Sequence, residues 1–392
     1  MAVALRPRVL DGTAELDPER WDSLARQAGF YVSRHWIRAW EEHAGARPLM
    51  VAVYDDDRLL GAVPCFETRA GTGNPRYDLG TLLDVDNARL DPQLFGGGNS
   101  GYRGDVLYER AAPSEARAAV LSLLMETLTN VAATRGARGW SLLYLDGRTA
   151  AEVAPYTDAH RLIIGASATM PLEYEDFDGY LGSLSTSNRS NARRDIRSFE
   201  RSGATVEARR GLAGSVDLVA PLLGNVQGHH GADPSVAGAA GYLRLCAAGG
   251  LDDQAVVFLA RLDGRPVAFS LAYEFGGRLW MRVVGLDYDR APACGAYFTT
   301  YFYEPVRYAL ARGLREIDFG MESFEGKLRR GARLRPQWAV ASVPGVDLGD
   351  WNARRRAHWL AEFGHHRGFH PDDWSVRPSS TAAPASRTPF GA

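Results

Sequence analysis

Between residues 254 and 286 three apolar runs follow one another, 254–262, 265–275 and 278–286, and only Asp263-Gly264 and Gly276-Gly277 lie between them. Two-residue turns of this kind need positive φ, which Gly, Asn and Asp tolerate, and their twist matches that of the strands they join. The stretch therefore reads as a three-stranded antiparallel meander. A loop at 287–295 comes next, then a helix over 296–312 that stops at Gly313, then a short strand at 316–319. Whatever surrounds it, this part of the chain must fold as an α/β unit built on a meander.

Upstream of the meander, residues 187–202 form a strongly basic helix ending at Gly203, and 214–250 are helical. The first part of the chain has a similar rhythm. Asp17 and Pro18 open a helical region over 17–46, with Trp21, Leu24, Phe30, Trp36, Ile37 and Trp40 on its apolar face. A hairpin at 48–54 and 58–66 turns at Asp55-Asp56-Asp57, and a long Gly-, Asn- and Asp-rich loop covers 67–105. A helix at 112–135 and a buried strand at 139–145 complete it. With 392 residues the chain exceeds what one core of about 100–200 residues organises. Two lobes are expected, 1–170 and 171–348, followed by a region 349–392 with a helix at 348–363 and a Pro-, Ser- and Thr-rich tail at 377–392 that reads as disordered. No internal repeat is legible.

Composition narrows the function classes. A net charge of −2 excludes a general polyanion binder, so nucleic acid could be met only by a local basic patch. Cys65, Cys246 and Cys294 form no disulfide framework, and neither a signal peptide nor a membrane span is legible, so a cytoplasmic protein without membrane insertion is expected. Of 45 basic residues only Lys327 is a lysine.

The second lobe carries a closer likeness. The basic helix NRSNARRDIRSFERSG, the hairpin ARLDGRPVAFSLAYEF and the run GLREIDFGMESFEGKLRRGA follow in order. The last resembles the DFG…K…G signature of Fem-type acyltransferases of the GNAT superfamily, here Asp318, Phe319, Gly320 and Lys327, with Gly326 where the family usually has an aromatic. Trp21, the aromatic stretch around Trp36, and GAVPCF at 61–66 resemble the family's N-terminal half. The likeness spans about residues 10–345. It implies two tandem GNAT-like lobes, each a mixed, mostly antiparallel sheet flanked by helices, with an acceptor between them. It also implies N-acyl transfer from a thioester (acyl-CoA or an acyl carrier protein) or from aminoacyl-tRNA to a small-molecule or peptide amine by direct attack. No cofactor is expected to be permanently bound. The alternative is a catalytically silent binding protein that keeps the fold.

Site expectations follow from that resemblance. The donor carbonyl would be polarised by backbone N–H groups where two parallel strands splay, near Val284 and Gly285. Donor phosphates would meet Gly295 and Ala296 at a helix start. Arg189, Arg193, Arg197 and Arg201 recur every four residues on one helical face, and Arg193 and Arg197 are the candidates for donor binding. Lys327 would hold a phosphate or carboxylate. Glu322 and Glu325 are candidate bases, and Asp318 would anchor the strand end. His229-His230 and His365, His366 and His370 have no carboxylate at a metal-ligand spacing in the sequence, so no metal is expected.

Overall fold

The computed structural model describes residues 5–41, 46–69, 74–232 and 234–375, so the tail expectation for 377–392 lies outside them. Thirteen strands are present: β1 (Leu5–Leu10), β2 (Arg47–Asp55), β3 (Arg58–Thr68), β4 (Gln93–Gly96), β5 (Leu107–Tyr108), β6 (Gly139–Leu145), β7 (His160–Pro171), β8 (Thr205–Arg210), β9 (Ala255–Leu262), β10 (Arg265–Phe275), β11 (Arg278–Leu286), β12 (Glu316–Asp318) and β13 (Arg333–Ser342). All belong to one continuous sheet, ordered β1-β2-β3-β4-β6-β13-β7-β12-β11-β10-β9-β8, with β5 on the side of β3.

That order is a near-palindrome. β1-β2-β3-β4-β6 runs inward from one edge and β8-β9-β10-β11-β12 from the other. Each set is antiparallel except for its innermost pair, β4 with β6 and β11 with β12, which is parallel. Each also has its helices in the same places: two after the edge strand (Pro18–Ala28 and Arg34–Glu41; Val216–His229 and Val236–Cys246) and one before the inner parallel strand (Ser114–Thr134; Glu304–Ala311 after an irregular start). This is the GNAT order, present twice. The repeat that the sequence hides is plain in the topology.

The lobes are joined by exchange. β7, from the first half, pairs with β12 of the second, and β13, from the second, pairs with β6 of the first; β7 and β13 pair with each other at the centre. The expected boundary at 170/171 thus falls at the end of a strand embedded in the other half. Both central strands lie deep in the molecule, and 162–170 and Trp338–Ala341 are buried without a break. Buried strands of this type lose the alternation of a half-exposed strand.

Local chemistry sets the ends. Asp17 accepts from the N–H groups of Glu19 and Arg20 to cap the first helix, which closes at Gly29 before Arg34–Glu41 begins, so the expected 17–46 region is two helices. The edge strands β1 and β8 carry Arg6, Pro7, Arg8 and Glu207, Arg209, Arg210, charges and proline that blunt edge pairing.

Candidate functional site

The inner parallel strands end in acids. β6 leads into Asp146, which caps the helix Gly147–Val153 by accepting from Thr149 N–H at 2.7 Å. β12 ends in Asp318, whose Oδ1 accepts from Gly320 N–H at 2.8 Å. One side chain bridges the two halves at this level: Arg103 donates to Asp146 at 2.9 Å and to Asp318 at 3.4 Å. Burial pushes the Asp318 carboxyl up and the Arg103 guanidinium opposes it.

Over the central strands lies a cleft of about 800 Å³, reached by residues of both halves. Its charged lining includes Arg103, Asp146, Arg161, Arg278, Glu316 and Arg335. Arg278 pairs with Glu316 at 3.3 Å, and Arg335 with Asp373. Arg161 differs. Among the described residues no carboxylate pairs with it; its guanidinium lies 4.0 Å from the Trp338 ring and reaches only the Gly147 carbonyl, at 3.5 Å. Burial without a compensating acid lowers its affinity for the proton. A half-buried cation on an aromatic face is a ready partner for a ligand carboxylate or phosphate.

Lys327 does not face that cleft as a free charge. It is buried, and its ammonium donates to the carbonyls of Phe319 at 2.7 Å, Met321 at 2.8 Å and Gly320 at 3.4 Å. The turn it ties down contains three positive-φ residues, Gly320, Glu322 and Ser323. Only the first is a glycine, so the turn is held in a costly conformation by its surroundings. Burial lowers the Lys327 pKa from 10.5 to about 7, against the pull of Asp318 and Glu322. Glu322 is exposed and pairs with Arg76 of the first half. Glu325 is also exposed, 2.7 Å from Arg329 and 2.6 Å from His366. Slight burial pushes its carboxyl up, but the hydrogen bonds from His366 and Arg329 outweigh it and hold the group low.

The expected donor-side residues fall into two groups. β11 and β12 pair only over Arg278–Trp280 and Glu316–Asp318, so the strands part immediately afterwards. A bulge at Arg282 precedes Val284 and Gly285. The Arg282 guanidinium donates to Tyr242 Oη and to the Ser100 carbonyl, and Tyr102 Oη donates to the Arg282 carbonyl, pinning the 99–103 loop onto the bulge. Gly285 is filled rather than open: a Cβ there would lie 2.2 Å from the Phe269 ring and 2.7 Å from the Leu222–Leu223 backbone. Gly295, at φ +68°, backs onto the Asp195 carbonyl of the basic helix, and Ala296 is fully buried. The helix start expected to meet phosphates thus packs against the basic helix, with Gly295 partly exposed.

That helix, Thr186–Arg201, is capped by Ser185 and buries only Ala192 and Phe199. Asp195, the acid within the arginine run, turns inward and accepts from Arg330 and Tyr303, each at 2.8 Å. Arg193, Arg194, Arg197 and Arg201 are exposed, and among the described residues none makes an ion pair. Beside them a hollow of about 270 Å³ lies between Asn188, Arg194, Phe298, Tyr303, Gly326 and Arg330. Sequence reasoning passed over Arg103, Asp146 and Arg161, and read Asp195 only as an acid that could neutralise its own helix; the signal for Asp146 was an Asp-Gly after an apolar run.

The comparisons agree with this geometry. The family model FemAB-like, described as peptidoglycan biosynthesis or recognition, matches residues 12–348. A crystal structure of FemX is similar over 84% of this chain and 97% of its own, at 12% identity and a TM-score of 0.59. A conserved protein of unknown function from Bacteroides thetaiotaomicron VPI-5482 covers 85% of this chain and 98% of its own, at 14% identity and a TM-score of 0.54. L-PGS from Bacillus licheniformis covers 84% and 92%, at 13% identity and a TM-score of 0.51. At these identities the likeness is one of fold. A search of curated proteins found no match.

Proposed function

Since this chain belongs to the FemAB-like family, whose members are acyltransferases, we propose that it transfers an aminoacyl group from aminoacyl-tRNA to the amine of an anionic acceptor seated in the central cleft. The observation that carries the donor assignment is the arginine face of Thr186–Arg201, exposed and among the described residues without ion pairs. A run of phosphates along a strand suits arginines spaced one helical turn apart. The hollow beside Arg194 and Arg330 is where the 3′ end would leave that face toward the parting of β11 and β12.

The acceptor's anionic part sits against Arg161, with Arg103 holding the two strand ends Asp146 and Asp318 in register beneath it. Attack is direct. Burial pushes the Cys294 thiol up, so this cysteine is a poor nucleophile for an acyl-enzyme. Lys327 acts by holding the carbonyls of Phe319, Gly320 and Met321 inward, which fixes the turn beside the parted strands; orientation does most of the work.

The test compares thermal stabilisation by CoA, by acetyl-CoA and by a tRNA bearing a non-hydrolysable aminoacyl 3′ end. A ligand at about 100 times its dissociation constant adds about 2.7 kcal/mol. Stabilisation by the tRNA alone, lost in Arg193→Ala/Arg197→Ala, supports the reading. Stabilisation by CoA alone replaces it with an acyl-CoA donor.

A further inference from the structure

The acid next to His365 and His366 in sequence, Glu362, pairs with His358, and the fold brings them another carboxylate. The helix Phe324–Arg329 places Glu325 against the segment that follows Trp351–Phe363, and one ligand atom from each of Glu325, His365 and His366 lies within 4.8 Å of the other two. His366 Nε2 is 2.6 Å from Glu325 Oε2, and the two imidazole rings are 4.1 Å apart.

We propose that Glu325, His365 and His366 form a binding site for a divalent transition metal of the zinc or nickel kind. Two imidazoles and one carboxylate are the ligand set these ions favour, and three protein ligands leave positions for water. Bonds of about 2.0–2.1 Å set tetrahedral ligands roughly 3.3 Å apart, so closing the cluster needs rotations of the exposed Glu325 and His365 side chains toward the mostly buried His366. Arg329 holds the other Glu325 oxygen at 2.7 Å, which orients the carboxylate while leaving Oε2 toward the imidazoles.

The position gives the site a consequence. Glu325 lies two residues before Lys327, on the helix that fixes the Phe319–Met321 carbonyls. The two histidines begin the segment that bonds Leu334 N–H through the Gly368 carbonyl and then reaches the rim of the central cleft at Asp372, Asp373 and Ser375. A metal at this point staples the end of the described chain to the Lys327 helix, so that the cleft rim and the turn move together. This assignment is independent of the donor and acceptor proposed above.

The experiment uses the full chain, stripped by a chelator and titrated calorimetrically with zinc chloride and, separately, nickel chloride. The expected result is saturable binding of one ion, weakened at least about tenfold by each of Glu325→Gln, His365→Ala and His366→Ala and unchanged in His370→Ala. Glu325 and His365 lie at the surface, so their variants should melt with the wild type in the presence of chelator, whereas His366→Ala, at a mostly buried side chain, should melt lower and is read by its binding alone. Zinc should raise the melting temperature of the wild type alone. Absence of saturable binding, or binding that survives in all three variants, would overturn the site. So would weakening confined to the histidine variants, because the fold-supplied carboxylate is what distinguishes this cluster from an exposed histidine pair.

Discussion

The ends of β6 and β12 occupy equivalent places in the two halves of the sheet and are built differently. At β6, Asp146 passes directly into a helix that it caps, and the space beyond opens as the central cleft. At β12, Asp318 is followed by a turn with three positive-φ residues, and that turn needs a buried ammonium, from Lys327, to hold its carbonyls. The first carries a single positive-φ residue, Tyr144 at +60°, and leaves room for a ligand. The second is strained, filled and rigid. One fold used twice has thus become a receiving side and a side that fixes the parted strands, with the arginine face beyond it.

The comparison can be broken at several points. The largest effect is expected from Arg193→Glu/Arg197→Glu, which should weaken tRNA binding by about 10²–10³-fold at moderate salt while changing fold stability by no more than about 0.5 kcal/mol. Gel shift and chemical denaturation measure the two. Lys327→Met comes next. It takes one donor from the Phe319 and Gly320 carbonyls, which keep Tyr301 Oη and Ala168 N–H, and removes the ammonium from the Met321 carbonyl, and should cost about 2–3 kcal/mol of stability in urea denaturation. In the first half, Asp146→Asn keeps the capping oxygen and an acceptor for Arg103 and should cost only about 1 kcal/mol. Equal losses would remove the distinction between the two ends.

The pH dependence sharpens the same point. The Lys327 pKa is 10.5 in the unfolded chain and about 7 when folded, so between those values the unfolded state binds more protons. Stability from this residue therefore rises with pH across that window, by at most about 1.4 kcal/mol per unit, and is level outside it. Lys327→Met should abolish the slope; a slope that persists assigns it elsewhere. The smallest effect is expected from Glu322→Gln. The side chain is exposed and paired with Arg76, so stability should move by less than about 0.5 kcal/mol and turnover by less than about threefold. A loss of about 10²-fold or more would make it the general base after all.

Much of the second lobe was legible because its turns are explicit. Asp263-Gly264 and Gly276-Gly277 announce the meander, and Asp318-Phe319-Gly320 marks the strand end. The central strands were not legible. β7, RLIIGASATMP after His160, lies deep in the molecule and mixes small and large residues, so it has no period of two. β8 is a charged edge and β4 only four residues long. Rarity also misled: Lys327 stands out as the single lysine, yet its three donors meet backbone, while arginines that look ordinary, Arg103 and Arg161, bridge the halves and face the cleft. Charge seen in a sequence does not say whether a partner will reach it. Asp195 makes the point within one helix, since it pairs with Arg330 and Tyr303 and leaves the neighbouring arginines without it.

The salt dependence of aminoacyl-tRNA binding tests the central claim most directly. For the wild type, the logarithm of the binding constant should fall linearly with the logarithm of salt concentration, and Arg193→Ala/Arg197→Ala/Arg201→Ala should reduce that slope by about 2–3. A slope near zero, or one the triple variant leaves intact, would contradict the account and return the donor site to the helix start at Gly295.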